Sequence, residues 1–517
     1  MRYRTFIDDC FPNRKHIRAM VIIGSLIAIL FLIVSPYFSR LAGFFQRRGP
    51  VCKNCNVIVI SLDTVSANHL PCYGYARNTA PNLCRYAGRS VLFKNAYSNA
   101  SWTLPADVSM FTSWYPQYHR ILNLEDEMKT LPATAPLLPE ILRQNGYTTY
   151  FGVPEHDQAF PVDGVYKQGV TGVIPVGYGP DEDLGAALTA FLKSVTNGHK
   201  TFLYLHSYEA HGPYIPNNPT PMFTNDRFPN IPLTWDGIYD NFSPGFYRYL
   251  VDQLSQTVGK PNATVDTAFL EKLENAPTLS AAKQLAQSKE NELDSYYTEY
   301  NYFSKIDLRD PRQVEYVKAL YDQKIFELDA WIGRVLIPFL ESPAIQKNTI
   351  VVITSEHGEE FMEHGRLGHI TLYDSNTKVP FIVSIPGYDK HVVEGPVQGI
   401  DIAPTIIDAL GLPVRRYLFQ GISLLDSAVG NRLRDRLLIA NGYNTDHEVK
   451  TVRNDGWKMF MKWLNGGFVP YELYNVAQDP METNNVLADH LDTAKRLMKE
   501  NSRLDAEWQS FANAVRR

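Results

Sequence analysis

Five short apolar runs, spread between residues 56 and 385, dominate the hydrophobic pattern of the chain. They are Asn56–Leu62, Thr148–Val153, Thr201–Leu205, Thr349–Thr354 and Pro380–Ile385. The first is rich in β-branched residues and shows no alternation with polar positions, which is typical of a strand buried on both faces of a parallel sheet. The others resemble it, so the pattern predicts a mostly parallel sheet.

Amphipathic stretches separate these runs. In Val314–Leu340 the apolar residues recur at steps of three and four, which predicts one buried face of a helix. These residues are Val317, Leu320, Tyr321, Ile325, Leu328, Ile332 and Val335. The alternation of strands and helices predicts an α/β domain, with a mixed, mostly parallel sheet sandwiched by helices, over residues 56–425.

Two segments depart from this pattern. Residues 217–312 are rich in Pro and Asn and then helical and polar around Leu279–Leu293; we predict an insertion near the mouth of the site that shapes substrate choice. Residues 426–517 contain three strand-like runs and then a helical stretch, which predicts a small C-terminal α+β subdomain. These elements are Leu437–Ala440, Trp457–Trp463, Glu472–Tyr474 and the helix Asp489–Ala514.

The N-terminus contains a long uncharged segment. Residues 19–39 carry no charge between Arg18 and Arg40, which predicts a transmembrane helix and a lipid bilayer as partner. A cleaved signal peptide is the alternative, although Pro36–Phe38 is a poor cleavage site. The bias of basic residues predicts a single-pass protein with residues 1–18 cytoplasmic, 40–55 a linker and the remainder periplasmic, extracellular or lumenal.

Charge and cysteine content limit the ligands and the covalent cross-links that the protein can have. With a net charge of -5 and a pI near 6.2, the chain lacks the positive field of a nucleic-acid-binding protein, so no such partner is expected. Four cysteines follow the predicted span, and in an oxidising compartment we expect the disulfide pairs 52–55 and 72–84. Zinc at the CxxC is disfavoured, because no second Cys/His pair lies at ligand spacing.

Carboxylates and histidines follow several of the predicted strands. Asp63, His206 and the pair Glu356–His357 each lie at or just past a strand end. Since ligands bind at the carboxyl ends of strands in open α/β sheets, these side chains can converge. Their oxygen and nitrogen atoms suit a divalent cation such as Zn, Mn, Mg or Ca.

Several sequence motifs carry a family resemblance. LDTVSANHLPCYGYARNTAPNL and FKNAYSNASWTLPADVSMFTSWYPQYH near the start, then LHSYEAHGPYIP, TIVVITSEHGEEFMEHGRLGHITLYDSNTKVPFIV, GIDIAPTIIDALGLP, FQGISLL and YELYNVAQDPMETNN follow in order. Together they resemble the sulfatase branch of the alkaline phosphatase superfamily. The resemblance covers most of the chain outside residues 19–39 and 217–312, and it implies that family's fold.

The resemblance also implies roles for individual residues. It makes Asp63, Glu356 and His357 metal ligands and Thr103 the metal-bound nucleophile. It implies that four histidines hold the ester group or the leaving group of the substrate: His211, His369, His206 and His364.

Position 103 changes the expected reaction. Sulfatases resemble one another in placing Cys or Ser there, which is oxidised to formylglycine, and threonine cannot form that aldehyde. A threonine hydroxyl can attack phosphorus, and the relatives that resemble this chain at Thr103 are phosphodiesterases and transferases of phosphoethanolamine or phosphoglycerol. We therefore predict hydrolysis or transfer of a phosphodiester group on a lipid headgroup or glycan.

Other positions depart from the family pattern. Glu356 stands where the family usually has Asp, Ala106–Asp107 replace a common Ser-containing pair, and Ser66 and Asn68 replace a usual Arg and Asp. Two alternatives therefore stay open: a sulfuric ester hydrolase without formylglycine, and an inactive, membrane-tethered binding protein.

Overall fold

The structure is a computed structural model. It describes residues 52–122, 131–132, 134–154, 160, 164–166, 169–177, 183–234, 267–278, 281, 285, 302–425, 433, 436–444 and 447–515.

Seventeen strands lie within the described residues. They are β1 Asn56–Leu62, β2 Val91–Phe93, β3 Ala96–Tyr97, β4 Tyr147–Val153, β5 Gly172–Pro175, β6 Lys200–Ser207, β7 Thr349–Thr354, β8 Glu360–Phe361, β9 Leu367–Gly368, β10 Lys378–Val379, β11 Phe381–Ser384, β12 His391–Val393, β13 Val397–Gln398, β14 Leu438–Asn444, β15 His447–Asn454, β16 Trp457–Leu464 and β17 Gly467–Asn475. Eight of them form the main sheet, in the order β12-β2-β11-β7-β1-β6-β4-β5. Strand β11 runs antiparallel to its neighbours β7 and β2, whereas β1, β4, β5, β6 and β7 are parallel. The predicted mixed, mostly parallel sheet is confirmed.

Twelve α-helices are described. They are α1 Pro81–Ala87, α2 Thr103–Thr112, α3 Pro116–His119, α4 Leu138–Gln144, α5 Asp183–Thr196, α6 Thr267–Glu274, α7 Pro311–Trp331, α8 Ile337–Leu340, α9 Pro343–Gln346, α10 Asp374–Thr377, α11 Ile402–Ala409 and α12 Leu491–Val515. One π turn joins α7 to α8, so the amphipathic helix predicted over Val314–Leu340 is confirmed.

The central strand β1 is buried on both faces. Ile58 and Ile60 pack in one hydrophobic cluster with residues of α7, such as Leu320. Val57 and Val59 pack in a second cluster with Val108 of α2 and with residues of α11. Because successive side chains of a strand point to opposite faces, this division explains why the run shows no polar alternation.

The register of the three central strands brings their ends together. Ser61 of β1 lies opposite His206 of β6 on one side and Thr354 of β7 on the other. Asp63 therefore leaves the sheet beside β6, where its backbone N–H donates to the carbonyl of Ser207 at 3.0 Å. The residues after Thr354 emerge at the same edge.

The C-terminal part forms an antiparallel four-stranded sheet, β14-β15-β16-β17, followed by helix α12. Val452, Met459 and Leu473 of the sheet pack with Leu497 of the helix in a small core of their own. The described residues thus contain the predicted α+β subdomain.

A buried ion cluster joins this subdomain to the main sheet. The Asp374 carboxylate accepts from Arg453 of β15 at 2.9 Å and from Lys458 of β16 at 2.8 Å. Lys458 also pairs with Glu482 at 2.8 Å, and Glu482 accepts from the backbone N–H of Asp374. Asp374 begins α10, just after the loop that follows β7, so the cluster fixes the end of that loop.

Both expected disulfides are present. Cys52 pairs with Cys55, and Cys72 pairs with Cys84, with Cα atoms 5.5 and 5.3 Å apart. The second bridge links the residues after β1 to α1, next to the edge of the sheet where Asp63 lies. Cys10 lies outside the described residues.

The predicted single-pass membrane localisation is corrected by the structure. Within the part of the chain that is described, no helix is both long and apolar enough to cross a membrane. Residues 19–39, to which the span was assigned, lie outside that part, as do residues 1–18 and 40–51.

Much of the predicted insertion, residues 217–312, also lies outside the described residues, including nearly all of Leu279–Leu293. The described remainder contains α6 and an irregular segment over residues 217–234. Its suggested role in substrate choice stays a prediction.

We expect Asp374→Asn to destabilise the protein by about 3 to 5 kcal/mol, because it removes the carboxylate that pairs with the buried Arg453 and leaves Lys458 with Glu482 alone. Burial alone would raise the pKa of Asp374, but Arg453 and Lys458 lower it below its ordinary value. The contribution is therefore present above pH 4, roughly, and is lost as the pH falls. Denaturant unfolding at pH 7 measures the loss of stability.

The control is Asp492→Asn, at an exposed ion pair, which is expected to change stability by less than about 1 kcal/mol. An equal effect of both variants would contradict the role assigned to Asp374.

Candidate active site

Three potential ligands meet at the carboxyl ends of β1 and β7. One atom each from Asp63, Glu356 and His357 lies within 4.8 Å of the other two, and all three residues are buried. Asp63 follows β1, and the other two residues follow β7 after Ser355. The shared sheet edge thus brings together the three side chains predicted as metal ligands.

Hydrogen bonds fix one oxygen of each carboxylate. The Oδ2 atom of Asp63 lies 3.2 Å from Nε2 of His206, and Oε2 of Glu356 accepts a short bond from the Ser61 hydroxyl. The second oxygens, Asp63 Oδ1 and Glu356 Oε1, are buried and make no hydrogen bond among the described residues. They lie 3.6 and 3.7 Å from Nε2 of His357. A buried carboxylate oxygen without a donor needs a counter-charge, so the set fits a divalent cation.

The pKa shifts of the two carboxyl groups also favour a bound cation. Burial raises the pKa of Asp63 although His211 and His369 lower it, and burial together with the charge of Asp63 raises the pKa of Glu356 well above its ordinary value. Among the described residues, no Lys or Arg pairs with either carboxylate. The protein alone thus disfavours two negative charges here, and a cation would offset that cost.

Thr103 lies beside this cluster. It is the first residue of α2, it is 6% exposed, and its hydroxyl Oγ1 lies 3.3 Å from Nε2 of His357. Nδ1 of His357 lies 3.0 Å from the carbonyl of Gly358, to which it donates, so the lone pair of a neutral ring is on Nε2. Burial lowers the pKa of His357 well below its ordinary value, which keeps the ring neutral.

Two further histidines, both half-buried, lie next to His357. The ring of His369 lies 4.6 Å from that of His357 and 5.2 Å from that of His211. Nδ1 of His369 lies 3.3 Å from the buried carboxylate of Glu359, and Nδ1 of His211 lies 2.8 Å from the carbonyl of Gly212. Both rings therefore have one nitrogen anchored by an acceptor.

Gly358 allows the loop after β7 to fold back over the site. Its N–H donates to the carbonyl of Asn376 at 2.7 Å, and a Cβ atom at this position would collide with the carbonyl oxygen of Ser375. The loop between these residues carries Glu359 and His369.

His206 occupies a different place from the other histidines. It is fully buried on β6, and its two nitrogens face Asp63 and the hydroxyl of Tyr204, the latter at 3.1 Å. The Tyr204 hydroxyl in turn lies 2.6 Å from Oδ2 of Asp107. Sequence reasoning did not assign Tyr204 any role and treated Asp107 only as a departure from the family pattern; its position four residues after Thr103 in a helix was the available signal.

His364 makes contacts different from those of His211 and His369, and its role in substrate binding stays a prediction. Its ring stacks on Tyr373 at 3.5 Å, Nδ1 faces Glu360 at 3.1 Å, and Nε2 faces the carbonyl of Met481 at 3.0 Å. Burial would lower the pKa of this ring, but Glu360 raises it above its ordinary value. Both nitrogens are thus engaged between the main sheet and the C-terminal subdomain.

Two family models match the chain. The model described as "Sulfatase" matches residues 55–412, and the model described as "N-sulphoglucosamine sulphohydrolase, C-terminal" matches residues 362–507.

Named relatives are sulfatases. The chain is 31% identical over 199 residues to Arylsulfatase K of Gallus gallus, a match that spans 36% of this chain and only 37% of that relative. It is 22% identical to Arylsulfatase K of Rattus norvegicus, covering 86% of this chain and 77% of the relative. It is 24% identical to a Delta 4,5-hexuronate-2-O-sulfatase of Bacteroides thetaiotaomicron, covering 84% and 85%. These names favour the sulfatase interpretation over phosphate transfer.

Solved structures share the fold. A protein in complex with its substrate D-glucosamine-2-N,6-O-disulfate superimposes with a TM-score of 0.63, 19% identity and coverage of 89% of this chain and 99% of its own. A phosphonate monoester hydrolase of Agrobacterium radiobacter superimposes with a TM-score of 0.60, 19% identity and coverage of 88% and 96%. With the match of the "Sulfatase" model to more than half of the residues, the chain belongs to the sulfatase family of the alkaline-phosphatase-like superfamily.

Proposed function

We propose that this chain is a metal-dependent hydrolase that cleaves a phosphorus ester through nucleophilic attack by Thr103. The observation that carries the proposal is the position of the Thr103 hydroxyl, 3.3 Å from His357 and beside two carboxylate oxygens that lack donors. The relatives are hydrolases by name, so water is the proposed acceptor and the transferase alternative is set aside. The proposed substrate class is an ester on a glycan, because one solved relative is named with a glucosamine disulfate.

Asp63, Glu356 and His357 would hold the cation, with Thr103 next to it. When bound, the cation supplies positive charge that stabilises a deprotonated hydroxyl and the charge that develops on the ester oxygens. The chain contributes an orientation that is fixed before the substrate arrives. Thr103 begins α2, whose N-terminal end carries partial positive charge that favours an anionic oxygen at this position.

The three remaining histidines divide into two roles. His369 lies next to His357 and His211 lies next to His369, and we propose that both line the approach to Thr103 and bind the ester oxygens or protonate the leaving group. Their anchored Nδ1 atoms support this role, since the orientation of each ring is set by Gly212 or Glu359. His206 faces Asp63 instead and is proposed to orient that ligand.

A sulfate ester is the second candidate substrate, and the names of the relatives favour it. The side chain at position 103 favours phosphorus instead, because threonine cannot become the formylglycine on which sulfatases resembling this chain depend. Inorganic sulfate released from sulfated glucosamine or hexuronate, with no phosphate or phosphonate turnover, would replace the first candidate by the second. No turnover on either class would favour the binding-protein alternative.

We expect Thr103→Ala to lower kcat/KM on a panel of phosphomonoesters, phosphodiesters and phosphonate monoesters by about 10³-fold or more. The reason is that the variant removes the attacking oxygen and leaves the cation ligands in place. Thr103→Ser is the matched control and is expected to keep measurable activity. Mass spectrometry of acid-quenched wild-type enzyme should find phosphate on the peptide that contains Thr103. Full activity of Thr103→Ala would remove this residue from the nucleophile role.

We expect divalent cations to stabilise the wild-type protein against unfolding, by about 2.7 kcal/mol at a cation concentration 100 times Kd. Chelation should remove both this stabilisation and the activity. Glu356→Gln keeps the size of the side chain but removes a charge from the ligand set, so it should abolish most of the stabilisation. Thermal unfolding with and without Mn, Zn, Ca or Mg ions measures the effect. Equal stabilisation of the variant and the wild type would place the cation elsewhere.

We expect His369→Gln to lower kcat/KM by about 10²- to 10⁴-fold while leaving cation affinity within a factor of a few, because His369 lies beside the cluster but is not one of its ligands. His391→Gln, in an exposed edge strand, serves as the control. Steady-state kinetics and calorimetric cation titration separate the two effects. A loss of cation binding equal to the loss of activity would make His369 a ligand rather than a substrate-binding residue.

A further inference from the structure

Asp107 is a buried carboxyl group that the proposed reaction does not use. It is fully buried and lies four residues after Thr103 on the same face of α2. Its Oδ2 lies 2.6 Å from the hydroxyl of Tyr204, and its Oδ1 makes no hydrogen bond among the described residues. Burying a carboxyl group costs free energy unless its oxygens are hydrogen-bonded, so a buried carboxyl group with an unsatisfied oxygen indicates a specific role.

A chain of hydrogen bonds leads from Asp107 to the cation site. Tyr204 and His206 lie two residues apart on β6, so their side chains share one face of the sheet. The Tyr204 hydroxyl lies 3.1 Å from Nδ1 of His206, and Nε2 of His206 lies 3.2 Å from Oδ2 of Asp63. All four side chains are withdrawn from solvent.

The proposed role of Asp63 as a ligand determines which atom donates in each of these hydrogen bonds. A ligand carboxylate accepts hydrogen bonds, so Nε2 of His206 must donate to Asp63, and in a neutral ring Nδ1 must then accept. The Tyr204 hydroxyl donates its one hydrogen to Nδ1. Its oxygen therefore accepts from Asp107, which must hold a proton.

We infer that Asp107 is a positioning residue for the cation site, which acts through Tyr204 and His206 to fix the orientation of Asp63. The inference rests on the proposed function, since it takes Asp63 as a cation ligand. Outer partners of this kind orient metal ligands, and their loss typically weakens cation binding by about 10- to 100-fold.

The electrostatic surroundings of Asp107 favour the protonated carboxyl group that the hydrogen-bonded series requires. Burial and the charges of Glu356 and Asp63 raise the pKa of Asp107 well above its ordinary value, although the contact with Tyr204 lowers it. A neutral carboxyl group at this position adds no third negative charge to the cluster. Asp107 is therefore suited to donate a hydrogen bond rather than to bind the cation.

Tyr204→Phe interrupts the series of hydrogen bonds between Asp107 and His206. The variant removes only the hydroxyl and keeps the ring that packs against Phe111 and Phe151. Calorimetric titration of the full chain with Mn, Zn, Ca and Mg chlorides should show affinity reduced about 10- to 100-fold. Tyr147→Phe is the matched control: it removes a buried hydroxyl that donates to the carbonyl of Cys55 from the next strand, and it should leave affinity unchanged. Equal affinity of Tyr204→Phe and the wild type would overturn the inference.

Two substitutions at Asp107 separate positioning from charge. Asp107→Asn keeps a donor toward Tyr204 and should bind cations within a factor of a few of the wild type. Asp107→Leu removes the donor at similar size and should match the loss seen for Tyr204→Phe. If Asp107→Asn loses as much affinity as Asp107→Leu, the negative charge of Asp107 contributes directly and the positioning role is wrong.

The tautomer of His206 gives a readout that does not depend on turnover. Nitrogen-15 spectra of histidine-labelled protein with saturating Zn or Mg ions, assigned by comparison with His206→Gln, should show a neutral ring protonated at Nε2 in the wild type and a mixture in Tyr204→Phe. A doubly protonated ring, or no change on substitution, would overturn the inference. A wild type that binds no cation but shows this tautomer would instead contradict the proposed function and leave the hydrogen-bonded chain intact.

Discussion

Three carboxyl groups, those of Asp63, Glu356 and Asp107, are buried near one another: the charge of Asp63 raises the pKa of Glu356, and the charges of both raise the pKa of Asp107. Among the described residues, no Lys or Arg pairs with any of them. Such a cluster is tolerable only if some groups stay protonated or a cation joins them. The organisation of the site follows from this constraint, because every nearby histidine and hydroxyl either anchors a carboxylate or faces the space between them.

The rigidity of the scaffold makes this arrangement possible. Strands β1, β6 and β7 are paired in parallel register, which holds His206 and the strand ends that precede Asp63 and Glu356 in fixed positions. Helix α2 adds Thr103 and Asp107 from one face, packed on the same sheet. The loop after β7 is fixed at one end by Gly358 and at the other by the ion cluster of Asp374. Side chains held in fixed positions in this way can stabilise the charge that develops in a transition state without first rearranging.

Much of this architecture could be predicted from the sequence, because it depends on local patterns. The uniform apolar run of β1 indicated a central strand, and the position of Asp63 and Glu356 after strands indicated a shared edge. The motifs around Thr103 added the helix that carries it. Contacts between side chains that are distant in the sequence could not be predicted: nothing in the sequence indicates that Tyr204 lies between Asp107 and His206. Nor does it indicate that His364 stacks on Tyr373.

The ion cluster around Asp374 also has a consequence for how this protein can diverge. The two family models overlap over residues 362–412, a segment that contains both His369 and Asp374, and the partners of Asp374 come from β15 and β16. The buried charge of Asp374, which precedes the C-terminal subdomain, is therefore neutralised by Arg453 and Lys458 of that subdomain. Recombination that exchanged the C-terminal part would have to preserve Arg453 and Lys458, since the loop that carries His369 ends at their partner Asp374.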